Sequence, residues 1–363
     1  MKIRNIPGIA CLAFLLAGCV LPGGKDKTDS QEIIETLLAP ASAKHPRHSE
    51  GDILVLKDRT LLAAWSDFTG GPDDHATASI SAAKSQDGGR TWGRPFLLQE
   101  NVGRNNVMSV SLLRTRSGEI LFFFLVKNSN TDLKLVVRRS TDDARSWSEP
   151  VTITREPGYH IMNNARAIQL KSGRILCPIS SSVNISTRKE LLRNFIYFSD
   201  DNGRTWQRSE DVIDCPKRGA MEPGLVQLKD GHLLQIIRTQ MGQIWYSLST
   251  DGGNKWTQPG PFGVVSPESP STIGRMPGRG ELLLIYNPNV TARTPLVCSL
   301  SRDEGKTWSA PKIIEASAEA TYAYTSLTFH RDRALLTYYV APNGTNRLSL
   351  KFKSIPLSWL RAE

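Results

Sequence analysis

The sequence predicts an all-β fold, a six-bladed β-propeller, because two motifs repeat along the chain at nearly constant spacing. The first is an octapeptide of the form S-x-D-x-G-x-T-W that occurs five times, beginning at Ser85, Ser140, Ser199, Ser249 and Ser301. The second is a turn followed by a leucine- or isoleucine-rich strand, and it occurs six times, at Arg59, Gly118, Gly173, Gly231, Gly280 and Arg333. Repeated units of roughly 50 residues, each with four short strands, are typical of propeller blades.

The remaining pattern of each unit favours strands over helices. Apolar residues alternate with other residues in runs such as 53–56 and 225–228, which is the two-residue period of a strand with one buried face. The sixth unit has room for only three strands after Ala320, whereas residues 31–38 have the pattern of an outer strand. We therefore expect the N-terminal segment to pair with the last blade and close the ring.

The residue types of the octapeptide suit a tight turn between two strands. An aspartate accepts hydrogen bonds from backbone N–H groups, a glycine adopts positive φ, and a tryptophan packs the turn onto the neighbouring core. Two copies depart from the pattern, with Ala144 in place of glycine and with Ser146 and Lys255 in place of threonine. This octapeptide is the Asp-box. It resembles the repeat of sialidases and related propellers, and we assign it a structural role only.

Composition is that of a globular protein and disfavours nucleic acid as a partner. Hydrophobic residues make up 39% of the 363 residues and charged residues 22%, which allows a sizeable core. The net charge is +10, but the basic residues are scattered without a lysine- or arginine-rich run. Affinity for acidic glycans or other acidic substrates fits the same charge equally well. We expect no nucleic-acid partner and a monomer.

The N-terminal residues have the pattern of an export signal. Lys2 and Arg4 precede an apolar run, 9–17, that is too short to span a membrane. Residues 16–19 (LAGC) resemble a bacterial lipobox, in which Cys19 is lipidated; the alternative is an ordinary cleaved signal with an incidental cysteine. The expected segments are a signal peptide at 1–18, a tether with a ring-closing strand at 19–44, and the propeller at 45–363. The protein is then exported and anchored to a membrane.

Cysteine and histidine usage gives no basis for a disulfide framework, a metal site or a cofactor. Cys11 and Cys19 belong to the export segment, which leaves Cys177, Cys215 and Cys298, an odd number without metal-ligand spacing. Six histidines occur without an HExxH pattern. We expect three small buried hydrophobic cysteines, no metal and no cofactor.

Six equivalent positions on the innermost strands are expected to line a pocket at one end of the channel. They lie nine residues before each turn and are Glu50, Ser109, Asn164, Glu222, Ser271 and Tyr324, with Glu268 as an alternative to Ser271. Two carboxylates, an amide and a phenol are unexpected here, because alternation predicts ordinary residues at these positions. Either they carry chemistry or they are solvated residues that line a channel.

Two of these positions lie in segments that resemble sialidase strands. Residues 323–327 (AYTSL) resemble the strand that carries the family's tyrosine nucleophile, which would be Tyr324. Residues 221–223 (MEP), followed by Arg238, resemble the strand pair with the glutamate that polarises this tyrosine and with one substrate-binding arginine. The resemblance implies a retaining hydrolase of the exo-α-sialidase type, with Glu222 as the partner of the nucleophile.

Two further segments resemble the rest of a sialidase site. Residues 287–288 (NP), followed by Arg293, resemble the setting of the last substrate-binding arginine, and residues 73–76 (DDHA) resemble the acid/base loop, in which Asp73 is our choice. A neutral phenol avoids repelling a sugar with an anomeric carboxylate, but at a pKa of about 10 it needs a carboxylate to take its proton. Arginine binds the substrate's carboxylate bidentately and stays charged.

The first strand of blade one departs from the family's pattern. Sialidases have an F-R-I-P-like strand there, whose arginine is the first of three that bind the substrate's acid. The aligned residue is Ser49, while Arg47 lies two residues earlier and Glu50 adds a negative charge. Either Arg47 replaces the missing arginine, or the substrate's acid is held nearer the other two. Asn164 is a further candidate for substrate binding.

Three function classes remain open. The first is a retaining glycoside hydrolase that acts on terminal anionic sugars. The second is a propeller lyase for uronic-acid-terminated glycans, with His48, His160 or Tyr324 as the base, which the altered strand of blade one favours. The third is a glycan-binding lipoprotein without catalysis, in which the acidic and phenolic residues only line a pocket.

Overall fold

A computed structural model of the chain describes residues 32–187 and 191–362, which consist almost wholly of β-strands. These residues form 26 strands and one short helix. The expected signal peptide (1–18) and the lipidation candidate Cys19 lie outside the described residues. Within the described ranges, no helix is long and apolar enough to cross a membrane.

The first half of the chain forms three blades of antiparallel strands. Strand β1 (Ile34–Ala39) precedes a first blade of β2 (Arg47–Val55), β3 (Leu61–Phe68), β4 (Ala78–Ser85) and β5 (Phe96–Gln99). The second blade contains β6 (Asn106–Arg114), β7 (Ile120–Ser129), β8 (Asp132–Ser140) and β9 (Val151–Thr152). The third contains β10 (Gly158–Ile161), β11 (Ile168–Gln169), β12 (Ile175–Ser182), β13 (Arg193–Ser199) and β14 (Gln207–Arg208).

The second half forms three further blades. The fourth contains β15 (Met221–Gln227), β16 (Leu233–Arg238), β17 (Gln243–Ser249) and β18 (Gly260–Val265). The fifth contains β19 (Thr272–Arg275), β20 (Leu282–Tyr286), β21 (Leu296–Ser301) and β22 (Lys312–Glu315). The sixth contains β23 (Ala320–Ala323), β24 (Thr328–His330), β25 (Arg333–Pro342) and β26 (Ser349–Pro356), after which comes helix α1 (Leu357–Arg361).

Two irregularities distinguish these sheets from six separate four-stranded blades. Blades two and three share one nine-stranded sheet, because β10 pairs in parallel with β8, with Gly158 opposite Asp132. The inner strands of blades three and six are interrupted, since β10 and β11 both pair with β12 and β23 and β24 both pair with β25. Six four-stranded units result when each interrupted pair counts as one strand and β1 joins the last blade. The all-β propeller class is confirmed.

Strand β1 is the outermost strand of the sixth blade. It pairs antiparallel with β26, with Ile34 opposite Ser354 and Leu37 opposite Lys351. The first strand in the sequence therefore hydrogen-bonds to the last, as a ring closed by its own N-terminal segment requires. The buried apolar residues of β1, β2, β3 and β26 form one cluster across this junction.

The Asp-boxes form tight turns that lie against the preceding blade. In the first box, Asp87 accepts hydrogen bonds from Ser85 Oγ at 2.8 Å and from the backbone N–H of Thr91 at 2.9 Å. The other four boxes repeat this arrangement. Gly89 has φ +93°, and a Cβ there would lie 2.0 Å from the ring of Phe352 on β26. The boxes therefore serve packing between blades.

Candidate active site

The innermost strands have irregular backbone at the positions predicted to line the pocket. The strand registers shift beside the predicted positions on β2, β6 and β15, as they do at β-bulges. Positive φ values occur at four of the six predicted positions, namely Glu50 (50°), Ser109 (59°), Glu222 (38°) and Tyr324 (59°). Left-handed backbone costs a non-glycine residue about 1–3 kcal/mol, and bulges re-aim side chains at functional sites. The strain therefore explains why these positions escape ordinary alternation.

Tyr324 and Glu222 form the centre of the site. The Tyr324 hydroxyl donates to Glu222 Oε1 at 3.2 Å, and Arg238 Nη1 lies 2.5 Å from Glu222 Oε2 and 3.5 Å from the Tyr324 oxygen. Burial, followed by the negative charge of Glu222, raises the pKa of Tyr324 well above its ordinary value, against the opposing charges of Arg238 and Arg293. The phenol is therefore neutral until a base takes its proton, and the adjacent carboxylate can do so.

Arg293 has no carboxylate partner among the described residues. Its Nη1 donates to the Tyr339 hydroxyl at 2.9 Å, and its Nη2 donates to the backbone oxygen of Glu268 at 3.0 Å. The guanidinium lies 5.7 Å from the centre of the Tyr324 ring. By contrast, Arg238 pairs with the Glu222 carboxylate and approaches that of Glu268 at 3.4 Å. Arg293 is therefore the pocket arginine with the most unbalanced positive charge.

Arg47 reaches the pocket from two residues before the aligned position, but it is already bound by two acids. Its Nη2 donates to Glu50 Oε1 at 2.8 Å and its Nη1 to Asp74 Oδ1 at 2.6 Å, while Nε donates to Ser49 Oγ at 2.8 Å. Burial raises the pKa of Glu50, and the charge of Arg47 opposes this shift. Partial desolvation also raises the pKa of Asp74, but the charge and hydrogen bond of Arg47 outweigh it, so the net pKa is lowered.

The 73–76 loop places Asp74, and not the predicted Asp73, at the pocket. Asp73 Oδ1 accepts the backbone N–H of His75 at 2.8 Å, and Asp73 does not line the pocket. Asp74, the next residue, does line it and pairs with Arg47. The local turn explains the difference, since an aspartate that caps the amide two residues later is held toward its own backbone. Asp74 is therefore the carboxylate of this loop that faces the pocket.

Asn164, predicted to bind substrate, instead bonds to backbone oxygens of two other blades. Its side chain is fully buried, and Nδ2 donates to the backbone oxygens of Gly51 at 2.7 Å and of Tyr324 at 3.0 Å. Asn164 lies in the interruption between β10 and β11 and reaches across to blades one and six. It therefore holds the backbone of Tyr324 and does not line the pocket.

The catalytic candidates and the arginines share one cavity of about 350 Å³, a size suited to a small ligand, whereas Glu50 does not line it and contacts it through Arg47. Its polar lining consists of Arg47, Ser49, Asp74, Tyr159, Ser180, Arg218, Glu222, Arg238, Arg293, Tyr324 and Tyr339. Sequence reasoning missed Arg218, Tyr159 and Tyr339, because they lie outside the repeated positions. Arg218 pairs with Glu268 at 2.6 Å, so its charge is balanced. Neither Ser271 nor its alternative Glu268 lines this cavity, but the carboxylate of Glu268 pairs with Arg218 and Arg238, which do.

Two histidines considered as alternative bases lie outside this cavity. His48 is buried and accepts the indole N–H of Trp65 at its Nδ1, at 3.0 Å. His160 lines a separate cavity on the other face of β10. His45, His48 and Asp67 place possible metal-ligand atoms within 4.8 Å of one another. The carboxylate of Asp67, however, already accepts hydrogen bonds from His45 and from Ser81, so a hydrogen-bond network accounts for the cluster.

Comparison with known proteins supports the fold and the family of the chain. Residues 59–337 match the family described as BNR repeat-like domain, and the chain belongs to this family, within the sialidase superfamily. A sialidase of Micromonospora viridifaciens is 26% identical over 398 aligned residues, which cover 99% of this chain and 58% of that protein. The chain therefore spans less than two thirds of that relative.

Solved structures share the fold at low sequence identity. A protein of unknown function from Dyadobacter fermentans superposes with a TM-score of 0.73 at 19% identity, covering 89% of this chain and 97% of that one. The K499G mutant of NanB sialidase from Streptococcus pneumoniae superposes with a TM-score of 0.72 at 14% identity, covering 90% of this chain and 71% of that one. These likenesses establish the propeller fold.

Proposed function

We propose that the protein is a sialidase-like glycoside hydrolase that removes terminal anionic sugars from glycans with retention of anomeric configuration. The observation that carries the proposal is the Tyr324–Glu222 pair in a cavity with unbalanced positive charge on Arg293. A neutral nucleophile beside an arginine suits a sugar whose reacting carbon bears a carboxylate. The similarity to sialidases supports the same reaction class.

The first half of the proposed reaction forms a glycosyl–tyrosine bond. Tyr324 Oη attacks the anomeric carbon while Glu222 takes the phenol proton, and the bond from that carbon to the leaving oxygen breaks. Asp74 donates a proton to the leaving oxygen. In the free protein the positive charge of Arg47 lowers the pKa of Asp74 and opposes its protonation. A bound substrate acts in the opposite direction, because it excludes water and brings a negative charge, and both raise the pKa of Asp74.

The second half releases the sugar. The Asp74 carboxylate takes a proton from a water molecule, whose oxygen attacks the anomeric carbon as the bond to Tyr324 breaks. Glu222 returns its proton to the phenolate, which restores the starting state. Two displacements at one carbon give net retention.

We propose that Arg293 holds most of the substrate's acid. Arg47 is bound by Glu50 and Asp74, and Arg238 is bound by Glu222, whereas Arg293 contacts only neutral oxygens. A carboxylate beside Glu50 would also meet a like charge whenever Glu50 is ionised. The substrate's carboxylate therefore lies nearer Arg293 than it would in a site whose three arginines had no carboxylate partners.

The test is cleavage of a sialoside by the wild type, by Tyr324→Phe and by Glu222→Gln. We expect the wild type to release free sugar and each variant to lose at least about 100-fold in kcat, because each lacks one half of the nucleophilic pair. Tyr246→Phe, on β17 and outside the pocket, is the matched control. The absorbance of an unsaturated uronate from acidic glycans would instead show a lyase. Glycan binding without turnover of any substrate would show a binding protein.

We also propose attachment to a membrane through a lipid on Cys19, which follows from the lipobox-like residues 16–19. Replacement Cys19→Ser is expected to block incorporation of labelled palmitate and to move the protein into the soluble fraction. An unlabelled, soluble wild-type protein after export would contradict lipidation.

A further inference from the structure

Lys127 is a fully buried lysine without a carboxylate partner in the described part of the chain. It lies on β7 of blade two with 0% of its surface exposed. Its Nζ donates to the backbone oxygen of Asp74 at 2.8 Å and lies 5.2 Å from the centre of the Tyr159 ring. Burying an ammonium group is costly unless its contacts compensate. The side-chain hydrogen bond of Lys127 is thus made to the 73–76 loop of blade one, while its ring contact is made to blade three.

A second buried side chain of blade two holds the same loop. Asn106 Nδ2 donates to the backbone oxygen of Asp74 at 3.0 Å and to that of Ala76 at 2.8 Å, and Asn106 is also fully buried. The loop itself is exposed, with 62% of the Asp74 side chain accessible. Arg47 Nη1 also donates to the backbone oxygen of Pro72 at 3.1 Å, and Asn105 Nδ2 donates to that of His75 at 3.2 Å. Polar contacts to its carbonyl groups, those of Lys127 and Asn106 among them, therefore hold the backbone of this exposed loop.

We propose that Lys127 is a positioning residue for the acid/base step. It fixes the backbone of Asp74 so that the carboxylate projects over the pocket, within reach of the leaving oxygen. The electrostatic surroundings agree, since Lys127 faces the acids Asp74, Asp73 and Glu50 as well as the cation Arg47. The inference rests on the proposed function, because it assigns Lys127 a role through Asp74. It adds a residue that the repeated positions do not reveal.

The first test measures the loop without measuring catalysis. Hydrogen exchange of the peptide 70–77 is compared between the wild type and Lys127→Met, with Lys84→Met on β4 as a control for loss of an exposed lysine. We expect the amides of His75 and Ala76 to exchange at least about tenfold faster in Lys127→Met only, because the Asp74 carbonyl loses one of its two buried side-chain donors. Unchanged exchange in Lys127→Met would overturn the positioning role.

The second test distinguishes positioning of an acid from general stability. An aryl sialoside with a good leaving group needs little proton donation, whereas a sialylated disaccharide needs a general acid. General acid catalysis contributes about 10²–10⁴-fold, and a displacement of about 1 Å can cost 10²-fold. We expect Lys127→Met to lose about 10–100-fold in kcat/KM on the disaccharide and less than about threefold on the aryl substrate.

The same pattern is expected for Asp74→Asn, and the double variant is expected to be no worse than Asp74→Asn alone on the disaccharide. Equal losses on both substrates, or additive losses in the double variant, would show that Lys127 does not act through Asp74. If Lys127→Met does not fold, Asn106→Ser removes another donor to the same carbonyl and is expected to give the same leaving-group pattern. If the wild type cleaves neither substrate, the proposed function fails, while the exchange experiment still decides whether Lys127 holds the loop.

Discussion

Replacing Arg293 by alanine should weaken substrate binding far more than replacing Arg47. The guanidinium of Arg293 contacts only the Tyr339 hydroxyl and a backbone oxygen, so its charge is available to a substrate carboxylate. Hydrogen bonds to charged groups contribute about 1.5–3 kcal/mol, which corresponds to roughly 10- to 150-fold in affinity. We expect Arg293→Ala to raise KM by this factor with a smaller change in kcat, because the anion is held in the ground state and in the transition state alike.

Arg47→Ala should behave differently, since Glu50 and Asp74 already balance its charge. We expect KM on a sialoside to change by less than about threefold, and Tm to fall, because breaking a buried ion pair costs about 3–5 kcal/mol. Arg275→Ala is the matched control, as Arg275 pairs with Glu304 away from the pocket. Initial rates over a range of substrate concentrations provide both constants. A KM for Arg47→Ala equal to or above that of Arg293→Ala would refute the displaced anion site.

Two further predictions concern the support of the site and of the blades. Asn164→Ala is expected to lower kcat at least about tenfold with KM nearly unchanged, because the backbone oxygen of Tyr324 loses a hydrogen bond and the nucleophile is held less firmly. A raised KM with an unchanged kcat would show instead that Asn164 binds the substrate. For stability, hydrogen bonds led by that of Thr91 lower the pKa of Asp87 to about 2. Because its folded pKa lies below the unfolded value of about 3.9, this stabilisation is complete above about pH 4 and is lost as pH falls toward 2. Asp87→Asn should therefore lower Tm at pH 7, and its Tm should fall less than that of the wild type between pH 4 and pH 2. An equally steep fall of Tm in both proteins, measured by thermal unfolding, would contradict this assignment.

Much of the fold was predictable because short-range motifs determine it. The turn residues recur with positive φ at Arg59, Gly118, Gly173, Gly231 and Gly280, as the repeat requires. In the sixth unit the left-handed residue is Arg331, two residues before the predicted turn position. Glu222 and Tyr324 lie nine residues before the predicted turn positions of their blades. Blades with the same strand arrangement place such equivalent residues at the same end of the channel, and both residues line the pocket.

The rest of the site depends on contacts between distant segments, which repetition does not encode. Asp74 and Asp73 are adjacent in sequence, and only the turn made by Asp73 shows which carboxylate faces the pocket. Arg218 enters from the long connection between β14 and β15, and Tyr339 from the second strand of blade six. Asn164 occupies a predicted position, but the interrupted strand of blade three directs it beneath the nucleophile.

The central claim is that Tyr324 attacks the anomeric carbon with Glu222 as its base. A sialic acid carrying fluorine at the anomeric carbon and at the neighbouring carbon provides the most direct test, because the anomeric fluoride leaves readily while the second fluorine slows hydrolysis of the glycosyl–enzyme. We expect intact-mass measurement to show one added glycosyl unit, fragmentation to place it on Tyr324, and the Tyr324→Phe protein to remain unlabelled. Turnover of a sialoside without any adduct, or an adduct on another residue, would contradict the account.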